Sequence, residues 1–150
     1  MTFTDAEIAY LSEQPLGRLA TIGPHGQPQN NPVSFTYDAA SARLLVGGHR
    51  MGSTQKFRNV ATRPLVSLVV DDIVSFRPWV VRCLEIRGTA DAIEDHDPLM
   101  PGFSGEVIRI WPTRILGFGI DPAVEGMSAR DVPGAPDDQL VETPIQEPIR

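Results

Sequence analysis

Two apolar stretches joined by a glycine-rich turn indicate the fold of this chain. The first reads Leu16-Gly17-Arg18-Leu19-Ala20-Thr21-Ile22, the turn reads Gly23-Pro24-His25-Gly26-Gln27, and the second reads Pro28-Gln29-Asn30-Asn31-Pro32-Val33-Ser34-Phe35-Thr36-Tyr37. Alternating apolar and polar residues on both sides of a Gly/Pro turn are typical of an antiparallel hairpin. The segment therefore predicts a protein built from short antiparallel strands.

The residues outside this hairpin predict a mainly β chain with two short helices. Thr4 and Glu7 form a capping-box pattern that starts a helix ending near Glu13, and a second helix is predicted from about Thr54 to Ala61. Five further strands are predicted: Arg43–Gly47, Leu65–Val70, Val80–Ala92, Glu106–Trp111 and Arg114–Ile120, the last two separated by Pro112. Short strands with tight turns predict an antiparallel barrel or sandwich.

Composition restricts the class of function. The chain has 150 residues and a net charge of −6, which suits one domain and argues against a nucleic-acid partner. No apolar run reaches transmembrane length and the first residues carry no export signal, so we predict a cytoplasmic protein without a membrane partner. No spacing of histidines or cysteines predicts a metal site.

The last twenty residues differ from the rest. We predict one folded domain over residues 1–130 and a tail over residues 131–150, which is rich in proline and acidic residues and short of aromatic ones. Such a segment buries too little apolar surface to fold alone, so any order in it would require a surface to lie on, such as a partner subunit.

An anion site is predicted where the third strand leads into the second helix, in the segment from Gly47 to Val60. Lys56 is the only lysine of the chain, Ser53 and Thr54 supply hydroxyl groups, and Arg58 adds charge one turn later. A helix start offers unpaired N–H groups and a partial positive charge, which together bind phosphate. The alternative is a solvated cationic helix without a ligand.

Three ordered stretches resemble a known family. They are Leu16–Thr21, Gly26–Val33 and Gly52–Val60, and together they resemble the pyridoxamine-5′-phosphate-oxidase-like flavin/deazaflavin oxidoreductases, in particular the probable coenzyme F420-dependent, actinobacterial branch. The resemblance implies an FMN-binding split β-barrel, that is, a six-stranded antiparallel barrel with short flanking helices. It also implies a homodimer with a cofactor in each groove between the subunits.

The same resemblance assigns residues to the cofactor. The strand Gln29, Asn30, Asn31, Pro32 and Val33 is expected along the tricyclic ring. The loop and helix start are expected around the phosphate: His49, Arg50, Met51, Gly52, Ser53, Thr54, Gln55, Lys56 and Arg58. Trp79 and Arg82 are expected to reach the groove from the other subunit. His49 is the one candidate for a catalytic side chain, with simple solvation as its alternative.

The resemblance implies a reductase that uses reduced coenzyme F420. Such an enzyme passes a hydride from the deazaflavin C5 to an unsaturated organic substrate, such as an enone, a quinone-like ring, or a polycyclic or tetrapyrrole compound. Two alternatives stay open: an FMN-binding oxidase or reductase of the same fold, and a non-catalytic protein that binds coenzyme F420. No nucleophile–base pair or nucleotide-binding fingerprint is present, which suits chemistry carried by a cofactor.

Overall fold

A computed structural model describes residues 1–136 of the chain. Its regular elements, in chain order, are α1 (Asp5–Glu13), β1 (Gly17–Ile22), β2 (Pro28–Asp38), β3 (Arg43–Gly47), α2 (Gln55–Thr62), β4 (Leu65–Phe76), β5 (Trp79–Ile93), β6 (Val107–Phe118) and β7 (Met127–Asp131). Neither helix within this range has the length and apolar character needed to cross a membrane.

The sheet closes into the predicted antiparallel barrel. Its strands follow the order β3-β2-β1-β4-β5-β6-β7, and β3 also pairs with β6. This additional pairing joins Leu44, Leu45 and Val46 to Ile110, Arg109 and Ile108, so six strands form a ring and β7 is added outside it. The apolar interior includes Leu19, Val46, Leu68, Ile86 and Ile110, each at most 1% exposed. The six-stranded fold expected from the sequence is confirmed.

The two last strands predicted from the sequence are one strand. β6 runs without a break from Val107 to Phe118, so the prediction that Pro112 separates two strands was wrong. The register shifts between Arg87 and Gly88 of β5, and Pro112 lies opposite Gly88 at this bulge. A Cβ on Gly88 would lie 2.0 Å from the carbonyl oxygen of Trp111, so only glycine lets the strands approach here. A bulge tolerates proline because the ladder is already interrupted.

Both ends of the described chain meet on the barrel. The predicted capping box is present: Thr4 Oγ1 accepts from the Glu7 N–H, and Glu7 Oε2 accepts from the Thr4 N–H. The Glu7 carboxylate also accepts from the Arg130 guanidinium on β7, at 2.7 Å for the Nη2–Oε2 pair. The strand that carries Arg130, β7 (Met127–Asp131), was not predicted from the sequence. Residues 137–150, most of the predicted tail, lie outside the described residues.

Candidate functional site

The predicted anion site is built where β3 ends and α2 begins. After Gly47 the chain makes a 3₁₀ turn over Met51–Ser53, and Thr54 caps α2 by accepting from the N–H of Phe57 at 3.3 Å. Residue 104 supports the turn, because the N–H of Met51 donates to Ser104 Oγ at 3.0 Å and the N–H of Ser104 donates to the Gly48 carbonyl at 2.9 Å. The loop therefore has a fixed shape set by backbone contacts.

The hydroxyl groups of this loop are used inside it. Thr54 Oγ1 donates to the Met51 carbonyl at 2.7 Å, and Ser53 Oγ donates to the Arg50 carbonyl at 3.0 Å. Arg58 also turns back, donating to the Ser53 carbonyl and to Gln55 Oε1. The sequence suggested free hydroxyl donors, but each hydroxyl has one proton and it is already committed. These residues shape the loop.

The groups left available among the described residues are two cations and two backbone amides. Among residues 1–136, the side chains of Lys56 and Arg50 form no hydrogen bond or ion pair, and both border the same pocket. The N–H groups of Gln55 and Lys56, at the first two positions of α2, also have no backbone or side-chain acceptor within that range. Uncommitted amides at a helix start with an adjacent ammonium group suit an anionic ligand.

An open pocket of about 370 Å³ lies over this loop. It joins the loop to β2 and to Phe103 of the segment between β5 and β6. Eight predicted cofactor residues line it, together with Ser34, Gly47, Gly48 and Phe103: Pro32, Val33, His49, Arg50, Met51, Ser53, Thr54 and Lys56. The predicted residues Gln29, Asn30, Asn31, Gly52, Gln55, Arg58, Trp79 and Arg82 do not line it.

The predicted ring-edge segment is an open edge of the barrel. Residues 28–33 of β2 pair with β1 alone, whereas pairing with β3 begins at Ser34. Cα partners in an antiparallel pair share a face. Asn30 and Pro32, opposite Ala20 and Arg18, therefore lie on the outer face, whereas Gln29 faces Asn59 inside. Within the part of the chain that the structure describes, one side of this segment has no strand partner.

Asn59 holds this edge to α2, and sequence reasoning missed it. It is fully buried, and its Nδ2 donates to Thr21 Oγ1 and to Gln29 Oε1, both at 2.9 Å, while Gln55 Nε2 donates to its Oδ1. A polar residue on the apolar side of a helix beside the anion loop was the signal available in the sequence. Asn59 therefore fixes the start of α2 relative to β1 and to residues 28–33 of β2.

His49 has a defined orientation at the rim of the pocket. Its Nδ1 lies 3.0 Å from the carbonyl oxygen of Gly102, and its ring packs edge-on against Phe103 at 5.1 Å between centroids. A carbonyl only accepts, so Nδ1 carries a hydrogen and Nε2 is left for the solvent or a ligand. A catalytic role for His49 stays a prediction.

Trp79 and Arg82 lie elsewhere on the chain. Trp79 is 64% exposed at the tip of the β4–β5 hairpin, where it packs edge-on against Phe76. Arg82 donates through Nε and Nη2 to the Asp72 carboxylate and lies over the ring of Tyr10. Within one chain neither residue borders the pocket, so any contact with a cofactor would be made in the site of another copy.

A second cavity of about 330 Å³ opens between β1, β4, β5 and the bulge of β6. Its walls are mostly apolar, with Leu65 and Val66 on one side. The cation that borders it, Arg87, donates to the Glu85 carboxylate on the same strand at 2.7 Å. This cavity contains none of the predicted cofactor residues.

Comparison with known proteins identifies a matching family and a similar reductase. Residues 3–132 match the family described as pyridoxamine 5′-phosphate oxidase. The chain is 45% identical over 134 residues to a 5a,11a-dehydrotetracycline/5a,11a-dehydrooxytetracycline reductase of Streptomyces rimosus subsp. rimosus, covering 88% of this chain and 94% of that protein.

Solved structures agree with this placement. A structure described as an F420 reductase is 27% identical with a TM-score of 0.53, covering 70% of this chain and 92% of that one. A FAD-binding protein from Mycobacterium smegmatis is 19% identical with a TM-score of 0.56, covering 78% and 94%. The second similarity extends to the fold alone.

Proposed function

The chain belongs to the pyridoxamine 5′-phosphate oxidase family and is an oxidoreductase, and from this premise we propose that it is a reductase dependent on coenzyme F420. One observation carries the choice of site. The uncommitted Lys56 ammonium group and the amides at the start of α2 meet, in one pocket, the open edge of β2. The cations and amides suit the phosphate of such a cofactor, and the adjacent free strand edge suits its planar ring.

The residues present fit such a cofactor. Lys56, Arg50 and the N–H groups of Gln55 and Lys56 would hold the phosphate, while Pro32 and Val33 would border the ring. The bound, reduced deazaflavin supplies a hydride to an electron-poor carbon. The protein itself would contribute binding and orientation, and Gly47 and Gly48 keep side chains out of the pocket wall.

The substrate we propose is a polycyclic compound with a carbon–carbon double bond conjugated to a carbonyl group. The support is the reductase of Streptomyces rimosus, which acts on dehydrotetracyclines and matches most of this chain. Fold alone does not select a substrate, but similarity over nearly the full length of both proteins favours a related one.

We further propose that the functional unit is a homodimer. The tip of the β4–β5 hairpin exposes a cluster of large apolar side chains: Ile73, Val74, Phe76, Trp79 and Val80. Contiguous exposed apolar surface marks an interaction site. A second copy placed against the hairpin would cover these side chains and bring Trp79 to a neighbouring cofactor groove.

A paired titration of the purified protein with coenzyme F420 and FMN tests this proposal, with ligand fluorescence as the readout. Tight F420 binding with weak FMN binding supports it, and the reverse result assigns the protein to the FMN-binding alternative. Oxidation of the reduced coenzyme is then followed with dehydrotetracyclines and simple enones as acceptors. Tight binding without turnover of any acceptor would support the non-catalytic alternative.

A further inference from the structure

An acidic side chain lies directly behind the phosphate loop. Glu106, just before β6, contacts Gly52 so closely that a Cβ on this glycine would lie 2.6 Å from Glu106 Oε1 and 2.8 Å from its carboxyl carbon. Position 52 can therefore carry no side chain while the carboxylate occupies this place. The neighbours of Gly52, Met51 and Ser53, line the pocket, whereas Gly52 and Glu106 do not.

The carboxylate is held in its ionised form. The Ser104 hydroxyl and backbone N–H groups, that of Gly52 included, lower the pKa of Glu106 below its ordinary value. Its Oε2 atom is enclosed and has no hydrogen-bond partner among residues 1–136. An enclosed oxygen without a partner is unfavourable for folding. An unpaired carboxylate oxygen next to a loop that borders an anion pocket therefore requires an explanation.

We propose that Glu106 is a positioning residue that sets a negative charge behind the phosphate loop and thereby favours ligands whose phosphate carries one negative charge over ligands whose phosphate carries two. This inference rests on the proposed function of the loop. The loop attracts anions through Lys56, Arg50 and the amides of α2, and Glu106 subtracts from that attraction. The repulsion from Glu106 costs a dianion twice as much binding energy as a monoanion, because the Coulomb energy is proportional to the ligand charge.

The consequence is a choice between the two candidate cofactors. The phosphate of coenzyme F420 is a diester with a single negative charge, whereas FMN carries a monoester with a charge of about −1.5 to −2 at pH 7. A loop with a fixed negative charge behind it discriminates against the monoester. Glu106 would thus contribute to selectivity for deazaflavin phosphodiesters without contacting the ligand.

The test is a charge series on one ring system, measured by equilibrium binding. Riboflavin has no phosphate, the methyl ester of FMN is a phosphodiester with one negative charge, and FMN itself is a monoester with two negative charges at pH 8. We expect Glu106→Gln to leave riboflavin binding unchanged, to tighten binding of the methyl ester about threefold and to tighten FMN binding about tenfold, the square of the first gain.

Glu106→Asp is the matched control, because it keeps the charge and shortens the side chain by one methylene group. Its ratio of FMN to methyl-ester affinity should stay near that of the wild-type protein. Should Glu106→Gln fail to fold, Glu106→Ala also removes the charge, lets water fill the space beside Gly52 and should give the same graded gains. Circular dichroism and a melting curve check that each variant is folded.

Equal gains for the two phosphorylated ligands, or weaker binding of both, would overturn the inference and leave Glu106 a structural support of the loop. Such results leave the proposed function intact, because the wild-type protein still binds a cofactor. If the wild-type protein binds neither coenzyme F420 nor FMN, the phosphate site itself is refuted and the role of Glu106 with it.

Discussion

Lys56 is the side chain that decides whether the loop is a phosphate site. It is half-buried, lines the pocket and forms no ion pair or hydrogen bond among residues 1–136. Removing it by Lys56→Ala should weaken cofactor binding by about 1.5–3 kcal/mol, the usual contribution of a charge-assisted hydrogen bond. This corresponds to roughly a tenfold to hundredfold rise in the dissociation constant, measured by ligand fluorescence.

Arg114→Ala is the control for the change in net charge. Arg114 pairs with the exposed Asp131 on β7, outside the pocket, so its loss should leave the dissociation constant unchanged. The melting temperature of Lys56→Ala should stay close to that of the wild-type protein, because the side chain forms no hydrogen bond or ion pair within residues 1–136. An unchanged dissociation constant in Lys56→Ala would exclude Lys56 from the site.

Asn59 links the stability of the fold to the shape of the site. Asn59→Leu keeps the branching and the number of heavy atoms of the side chain but leaves Thr21 and Gln29 without their donor in a buried place. We expect the free energy of unfolding to fall by about 2 kcal/mol or more, measured by urea denaturation. Gln55→Ala, which removes only the exposed partner of Asn59, should lower it by less than about 0.5 kcal/mol. Similar values for the two variants would contradict the assignment of Asn59 as the central residue.

Residue types predicted the chemistry of the loop but not the use of each atom. The lone lysine and the helix start were predicted from the sequence to form one anion site, and Thr54 and Lys56 line the same pocket. The hydroxyl groups of Ser53 and Thr54 were read as ligand donors, yet a hydroxyl beside a helix start also caps the helix. Only the geometry of the backbone decides between these two uses.

A polar cluster ties α1 to β4 and β5 and makes stability depend on pH. The Tyr10 hydroxyl donates to Asp72 Oδ1 at 2.8 Å, and Arg82 donates to both oxygens of the same carboxylate. Arg82, and to a lesser extent Tyr10, lowers the pKa of Asp72 below 3.8, its value in the unfolded chain. A depressed pKa means that this stabilisation is complete above about pH 4 and is lost as the pH falls through the folded value.

Asp72→Asn should therefore lower the free energy of unfolding at pH 7 by about 2 kcal/mol. The difference from the wild-type protein should shrink below pH 4, as measured by urea denaturation across a pH series. Asp71→Asn is the neighbouring control, because its partner Arg18 is half-exposed and such a pair contributes less than about 1 kcal/mol. A difference that stays constant down to pH 2 would refute the coupling of Asp72 to pH.

For the strands, the alternation of apolar and polar residues predicted where each strand lies better than it predicted how long each strand is. β1, β2 and β3 start and end within two residues of their predictions, because Gly and Pro turns bound them. β4 extends six residues beyond its predicted end at Val70, reaching Phe76, because the exposed apolar hairpin tip has no turn signal until Arg77-Pro78. The predicted break of β6 at Pro112 was wrong. The strand accommodates this proline because Gly88 lies opposite it in β5, and no local sequence pattern reveals that pairing.

The described molecule is a closed barrel with an open strand edge and an exposed apolar hairpin tip. Within residues 1–136 no second strand pairs with residues 28–33 on one side, and Phe76 and Trp79 are 71% and 64% exposed. No local sequence pattern could place these features relative to each other, because their positions depend on the closure of the barrel. A second copy would cover the tip beside the cofactor groove.

The double variant Phe76→Ser, Trp79→Ser tests this arrangement. The two rings pack against each other on the surface of one chain, so their removal should leave the barrel folded with an unchanged circular dichroism spectrum. Light scattering should show a dimer for the wild-type protein and a monomer for the variant, because the apolar area that drives association is lost.

Val124→Ser, at a residue that is 46% exposed, is the control and should stay dimeric. If Trp79 completes the groove of the other copy, the monomeric variant should also bind coenzyme F420 more weakly. A wild-type protein that is monomeric at micromolar concentration would refute both the dimer and the role of Trp79 in the site.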